Sequence, residues 1–224
     1  MAAPTTPIYT YSYIRISKSH NLEASAQQYR NLRLRGLQAS PSSFASTYET
    51  EAAFTSTDWE TRLSAADKQT FICVATSQGT QQVSEWVGQV TLRGPMSRAD
   101  FALAPEAGQL AVNCDDEERW QLLGLFLLPD HRGGGRGKQL CQAALEYLGS
   151  YLPSPFQVHV RLMIKPDNQA IVRLYEGLDF TQTGKCTLEE AIRASGDGYL
   201  LPDDTSSEKY SIRTGLIMNL KMKQ

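Results

Sequence analysis

The fold is decided by one stretch of the sequence, Leu122-Leu123-Gly124-Leu125-Phe126-Leu127-Leu128 followed by Pro129-Asp130-His131-Arg132-Gly133-Gly134-Gly135-Arg136-Gly137-Lys138. A run without polar residues, typical of a buried strand, stops at a proline and leads into glycines interleaved with basic residues. Residues 137–148 then have the apolar spacing of an amphipathic helix. A strand that enters a helix through glycines leaves free backbone N–H groups at the positive helix end, where phosphate binds. The sequence therefore predicts a phosphorylated ligand.

The spacing of these glycines separates three kinds of phosphate-binding loop. A Walker loop requires Gly-x-x-x-x-Gly-Lys-Ser/Thr, but Arg132 stands at its first glycine and Gln139 replaces its hydroxyl. The dinucleotide pattern Gly-x-Gly-x-x-Gly fails because Lys138 or Leu140 occupies the place of its third glycine. The pattern Arg/Gln-x-x-Gly-x-Gly/Ala is matched from Arg132 to Gly137.

This hexapeptide resembles the acyl-CoA pyrophosphate loop of the GCN5-related N-acetyltransferase (GNAT) family. A second segment resembles the family's Asn-x-x-Ala-x-x-Leu-Tyr-x-x-x-Gly-Phe and is matched by Asn168, Leu174, Tyr175 and Phe180, with Ala170 one residue early. Asp179 stands where the family usually has glycine. One predicted helix and one predicted strand separate the two motifs, as the family requires.

The resemblance implies an α+β fold with a mixed, mostly antiparallel sheet, a splayed parallel strand pair and flanking helices. The parallel pair is predicted at residues 122–128 and 157–165, on either side of the crossover helix 137–148. We expect one GNAT domain over residues 1–224, with loop insertions near 94–113 and 184–208.

The remaining elements are predicted from local patterns. A helix that carries Leu22 and Leu37 is expected to end near Pro41, and Thr57-Asp58-Trp59-Glu60 has the spacing of a capping box that begins the next helix. Further strands are predicted at residues 13–17, 71–76, 86–92 and 210–222.

The resemblance also implies that acetyl-CoA is the cofactor. Its pantetheine arm would lie between the splayed strands and pair with backbone groups of Leu125, Phe126 and Leu127. The pyrophosphate would be bound by Arg132, Gly133, Gly134, Gly135, Arg136, Gly137 and Lys138. Asn168 is predicted to contact the cofactor, and an N-cap is an equally good interpretation of that residue.

Two residues are predicted to act in catalysis. The backbone N–H of Leu127 would polarise the thioester carbonyl, and Tyr175 matches the family's proton donor, which also contacts the cofactor. Helical spacing alone would favour a core position for Tyr175. The base is not assigned, because residues 122–128 carry no acid. Glu85, residues 115–118, His159 and an ordered-water relay all stay open.

Composition limits the partners. The chain has 224 residues, is 41% hydrophobic and 21% charged, and has a formal net charge of −2, which argues against nucleic acid or an anionic membrane. No apolar stretch approaches the roughly 20 residues of a spanning helix, and the polar N-terminus lacks a signal peptide's apolar core. The four cysteines lack Cys-x-x-Cys spacing, and no metal site is predicted. We therefore expect a cytoplasmic protein with reduced cysteines. Its oligomeric state is expected to be a monomer or a homodimer.

The acceptor is predicted to be a primary amine that attacks the thioester directly. The two insertions would cover the cleft, which favours a small molecule, and nearby acidic residues would favour a cation. Two alternatives stay open: a non-catalytic sensor that binds acyl-CoA, and an enzyme that acetylates protein lysines or N-termini.

Overall fold

A seven-stranded sheet organises the computed structural model, which describes residues 8–79, 82–110, 117–151 and 157–223. The strands are β1 (Tyr9–Arg15), β2 (Lys68–Ser77), β3 (Ser84–Arg93), β4 (Glu117–Leu127), β5 (Gln157–Ile164), β6 (Thr181–Cys186) and β7 (Gly215–Lys223). Their order is β1-β2-β3-β4-β5-β7-β6, and among the described residues only β4 and β5 pair in parallel. The prediction of a mixed, mostly antiparallel sheet with one parallel pair is confirmed.

Helices flank this sheet on both faces. They are α1 (Leu22–Ala39), α2 (Tyr48–Ala52), α3 (Ser56–Ser64), α4 (Arg98–Phe101), α5 (Arg136–Tyr151), α6 (Gln169–Glu176), α7 (Leu188–Ala194) and α8 (Glu208–Ser211). A Cβ on Gly36 of α1 would contact the Phe126 ring, and one on Gly137 of α5 would contact Leu127. Because neighbouring residues of a strand point to opposite faces, α1 and α5 lie on opposite faces of the sheet.

The strand pair β4–β5 separates part-way along its length. Residue pairing runs from Glu117 with Gln157 to Leu122 with Leu162 and then ends, while β4 continues to Leu127. On its other edge β4 bulges, since Phe126 is opposite Gln89 but Leu123 is opposite Thr91. Gly124, at φ 69°, supplies the left-handed residue that such a bulge requires. The end of β4 is therefore unpaired on the side of β5, as predicted.

The predicted start of the second helix was wrong by two residues. Thr55 caps α3 and forms the capping box with Asp58, whose carboxylate accepts from the Thr55 N–H at 2.8 Å. Thr57 and Glu60 have the same spacing but lie inside the helix. Sequence spacing alone could not choose between the two frames.

Other boundaries also moved. The first strand is Tyr9–Arg15 rather than 13–17, and the last begins at Gly215 because residues 208–211 form α8. The predicted insertion at 184–208 begins inside β6, and the insertion at 94–113 contains α4 and a 3-10 turn. Residues 111–113 of that insertion lie outside the described residues.

Asp179 adopts the backbone conformation that the family's glycine would favour. Its φ is 64°, and the neighbouring Phe180 N–H donates to the Tyr175 carbonyl oxygen at 3.0 Å. A side chain in this region is strained, less so for Asp than for most residues. We expect Asp179→Gly to raise the free energy of unfolding by about 0.5–1 kcal/mol in urea titrations. Asp167→Gly, at an exposed position without positive φ, is the control; equal effects of the two changes would contradict the assignment of strain to Asp179.

Candidate active site

The loop between β4 and α5 is a nest of backbone donors. Gly133, Gly134 and Gly135 have φ angles of 82°, 58° and 74°, a left-handed run that only glycines form without strain. In the described part of the chain, no acceptor is found for the N–H groups of these glycines or for those of Gly137 and Lys138. Such donors at a helix N-terminus can bind the pyrophosphate of acetyl-CoA.

The arginines of this loop hold its shape. Arg132 Nε donates to the Leu127 carbonyl oxygen at 3.0 Å, and its Nη2 donates to Ser40 Oγ at 2.8 Å. Arg136 Nη1 donates to the carbonyl oxygens of Arg132 and Gly133, and its guanidinium stacks 4.1 Å from the Tyr11 ring centroid. The guanidinium groups of Arg132 and Arg136 therefore place positive charge at the loop, and their hydrogen bonds stabilise its backbone.

The backbone of β4 points its groups alternately to β3 and to the gap beside β5. The Leu128 N–H donates to Val87 of β3 at 2.8 Å, so the Leu127 N–H points the other way, into the gap. The Phe126 carbonyl lies against Gly88 of β3, only 2.9 Å from where a Cβ would stand. The Phe126 carbonyl therefore faces β3, while the backbone groups of Leu125 and Leu127 face the gap. The contact of all three residues with pantetheine stays a prediction.

Tyr175 is buried where α6 packs against α5. Its ring makes an edge contact with Phe180, with centroids 5.6 Å apart. No hydrogen-bond partner of its hydroxyl is found among the described residues. Burial, together with the nearby Cys141 thiol, raises the pKa of Tyr175 well above its ordinary value. The hydroxyl therefore keeps its proton at neutral pH.

Asn168 caps α6, and its Oδ1 accepts from the Ile171 N–H at 3.2 Å. The structure thus confirms the interpretation of this residue as an N-cap. Its amide nitrogen remains available for a contact with the cofactor.

None of the described candidates for the base lies in the gap. Glu85 forms an exposed ion pair with Arg35, and Glu118 accepts from the Trp120 indole at 3.0 Å. Glu117 and His159 lie within the paired part of β4 and β5, five and three residues before the point where these strands separate. Residues 115 and 116 lie outside the described residues.

Glu117 and His159 belong to a buried polar cluster instead. The Glu117 carboxylate lies 3.6 Å from His159 Nδ1 and 3.2 Å from Lys221 Nζ. His159 Nε2 lies 2.7 Å from Asn219 Oδ1. Burial lowers the pKa of His159 although its polar neighbours Asn219 and Glu117 oppose this.

The face of the sheet opposite α5 carries a second group of polar side chains. Phe71 contacts Tyr147 of α5, so Thr70 beside it points to the other face, where its hydroxyl meets that of Thr91 at 3.2 Å. Arg93, two residues beyond Thr91 on β3, shares this face.

Arg93 forms the floor of a cavity of about 480 Å³. One wall is α4 with residues 102–104, and the other is α7 with Gly196 and Gly198. Residues of the two predicted insertions therefore line a half-open cavity, whose volume lies in the range of small-molecule sites.

Sequence and structure comparisons agree with this geometry. The sequence matches the acetyltransferase (GNAT) family over residues 35–180. A search of curated proteins finds no significant match. Arabidopsis thaliana NAA60 in complex with a bisubstrate analogue is 16% identical, with a TM-score of 0.54, covering 96% of this chain and 99% of that one.

Two further solved structures have the same fold. A GNAT-family acetyltransferase from Streptococcus pneumoniae is 13% identical, with a TM-score of 0.56, covering 95% of this chain and 100% of that one. The complex of Arabidopsis thaliana NAA60 with acetyl-CoA is 15% identical, with a TM-score of 0.52, covering 95% of this chain and 99% of that one.

The family match spans more than half of the chain, so the protein belongs to the GNAT acetyltransferase family. It is an acetyl-CoA-dependent acetyltransferase. Among the described residues, no helix is long and apolar enough to cross a membrane.

Proposed function

We propose that this acetyltransferase transfers the acetyl group to the primary amine of a small molecule, by direct attack of the amine on the thioester. The observation that carries the small-molecule assignment is the half-open cavity of about 480 Å³ between α4 and α7. Covering helices of this kind suit a compact acceptor better than an extended protein segment.

The donor side of the proposed site follows from the loop and the gap. Gly133, Gly134 and Gly135 offer their N–H groups to the pyrophosphate, and Lys138 adds positive charge. Backbone groups of Leu125 face the gap, where they would pair with the pantetheine amides, while the Leu127 N–H would lie beside the thioester at the end of this arm. Acetyl-CoA supplies the acetyl group as a thioester.

Two groups of this chain would assist the transfer. The Leu127 N–H, which points into the gap, donates to the carbonyl oxygen and polarises it. The new C–N bond forms as the C–S bond breaks. Tyr175 then gives its hydroxyl proton to the departing thiolate.

The acceptor amine must lose a proton before it attacks. An amine with a pKa of about 10.4 is mostly protonated at pH 7, and freeing its lone pair costs about 4–5 kcal/mol. None of the described acidic candidates lies in the gap. In this proposal, ordered water rather than a carboxylate therefore accepts the proton that the amine loses.

An amine panel tests the proposal. The purified protein is incubated with acetyl-CoA and with monoamines, diamines, amino acids, peptides with free N-termini and lysine peptides. CoA release and product mass are then measured. We expect small amines to be acetylated with higher kcat/KM than any peptide.

Two other outcomes would replace the proposal. Transfer to peptides alone would establish a protein acetyltransferase, and the two peptide sets would separate N-terminal from lysine transfer. Acetyl-CoA binding without transfer to any amine would establish the sensor.

A further inference from the structure

Arg161 is a guanidinium buried without an anionic partner. Its side chain on β5 has no exposed surface. Nε donates to Gln121 Oε1 at 2.7 Å, and Nη1 donates to the Phe101 carbonyl oxygen and to Gln109 Oε1, both at 2.5 Å. Nη2 is buried, and no hydrogen-bond partner for it is found among the residues that the structure describes. All three acceptors are neutral, and no carboxylate of the described residues forms an ion pair with Arg161.

A second buried arginine, Arg33, has the carboxylate partner that is not found for Arg161 among the described residues. Arg33 donates from Nε and Nη2 to the two carboxylate oxygens of Glu51, at 2.8 and 2.6 Å. The same edge of the Arg161 guanidinium meets one amide oxygen, that of Gln121, and leaves Nη2 free. A carboxylate is the acceptor whose charge fits this edge: one oxygen would accept from Nη2, and the second could accept from Nε if Gln121 Oε1 moved away.

Arg161 stands where the two parallel strands separate. It precedes Leu162, and its partner Gln121 precedes Leu122, the last residue pair of β4 and β5. Gln121 is paired across the sheet with Arg93, which places it on the face opposite α5. The cavity beside Arg93 lies on this same face, so an acceptor bound there would approach the gap from the face on which Arg161 stands.

We propose that Arg161 binds a carboxylate of the acceptor, so that the substrate is an amine that also carries a carboxylate, as amino acids do. This inference rests on the proposed transfer to a small amine. It goes further because it names the second functional group by which the acceptor is recognised.

The charge of Arg161 persists at working pH. Burial lowers the pKa of the Arg161 guanidinium to about 10, and the nearby Arg93 also lowers it, against the effects of Cys186 and Glu190. At neutral pH the group is still protonated and attracts an anion. Glu190, the one carboxylate among these influences, forms its own ion pair with Arg213 at 2.5 Å.

Access to Arg161 requires movement of the segment that covers it. Phe101, at the end of α4, is itself fully buried and stacks 4.1 Å from the guanidinium. Its carbonyl and Gln109 both bind Nη1, so a carboxylate at Nη2 does not compete with them. We expect the covering segment to shift when the acceptor binds.

Matched acceptors test the inference on the wild-type protein. Each amino acid is compared with its carboxamide and with the amine that remains after loss of the carboxylate. We expect the best acceptor to exceed both analogues in kcat/KM by about tenfold or more, because an unpaired buried donor is costly. Equal or faster transfer to the analogues would overturn the inference while leaving the proposed function in place. Absence of transfer to every amine would overturn both.

Gln121→Glu is the sharpest variant because it supplies a carboxylate to this edge from within the protein. Its carboxylate, isosteric with the amide, would take both Nε and Nη2 of Arg161, as Glu51 takes Arg33. We expect the preference for carboxylate-bearing acceptors to fall by about tenfold, while the Kd of acetyl-CoA stays the same. An unchanged preference in this variant would refute the role of Arg161.

Gln69→Glu is the matched control, since Gln69 Oε1 accepts from the exposed Arg15 at 2.9 Å. We expect it to leave the preference unchanged. Arg161→Lys provides a second variant, which keeps the positive charge but loses the paired N–H donors of the guanidinium. If it folds, as circular dichroism would report, its preference should also fall; if it does not, Gln121→Glu still decides.

Discussion

Gly135→Glu is expected to weaken acetyl-CoA binding by at least about 100-fold, equivalent to about 2.8 kcal/mol. The substitution places a carboxylate in the nest formed by Gly133, Gly134 and Gly135, where the pyrophosphate would bind. Like charges repel there, and the new side chain competes for the same N–H donors. Isothermal titration calorimetry of acetyl-CoA with the wild-type and variant proteins measures the effect.

Two control variants separate charge from strain. Gly135→Ala carries the same backbone strain, since Gly135 has φ 74° and a Cβ there would meet nothing within 4 Å. Its Kd should rise far less than that of Gly135→Glu. Gly79→Glu adds the same charge at a turn where a Cβ also meets nothing within 4 Å, and its Kd should match the wild type. Equal Kd values of acetyl-CoA for the wild type and Gly135→Glu would show that the pyrophosphate does not bind in this loop.

The loop and its flanking elements could be predicted from sequence because their signals are local. The apolar run of β4, the proline that ends it and the glycines before α5 are adjacent in the chain. Asn168 and Tyr175 were assigned to the site in the same way, through a motif that spans one helix and its N-cap, and their contacts with the cofactor stay predictions. Such features depend on residues close in sequence, so one chain is enough to find them.

Features that depend on distant pairing could not be predicted. The direction of the Phe126 backbone follows from its register with β3, which no local pattern specifies. Arg161 and the Phe101 carbonyl that it binds are 60 residues apart in sequence, and the alternating pattern of β5 gave no sign that this arginine would be buried.

Tyr175→Phe is expected to lower kcat by about 100-fold or more while leaving the KM for acetyl-CoA nearly unchanged. The change removes only the hydroxyl, which would give its proton to the thiolate, and keeps the ring against Phe180. Steady-state kinetics with the best acceptor of the amine panel measure the loss. Tyr29→Phe is the matched control, because Tyr29 is also buried on a helix but contacts Trp59 rather than the gap.

The pH profile checks that Tyr175 stays protonated, and the kcat and stability of Tyr175→Phe separate a proton donor from a core residue. A proton donor must be protonated to act, and the pKa of Tyr175 lies well above its ordinary value. Because burial raises the pKa of Tyr175, wild-type kcat should rise with pH as the acceptor amine loses its proton, without a fall from ionisation of Tyr175 over that rise. If Tyr175→Phe keeps the wild-type kcat and unfolds at the same urea concentration, Tyr175 is a core residue. If kcat falls while stability is retained, the hydroxyl acts on the reacting sulfur, because ring packing is the same in both proteins.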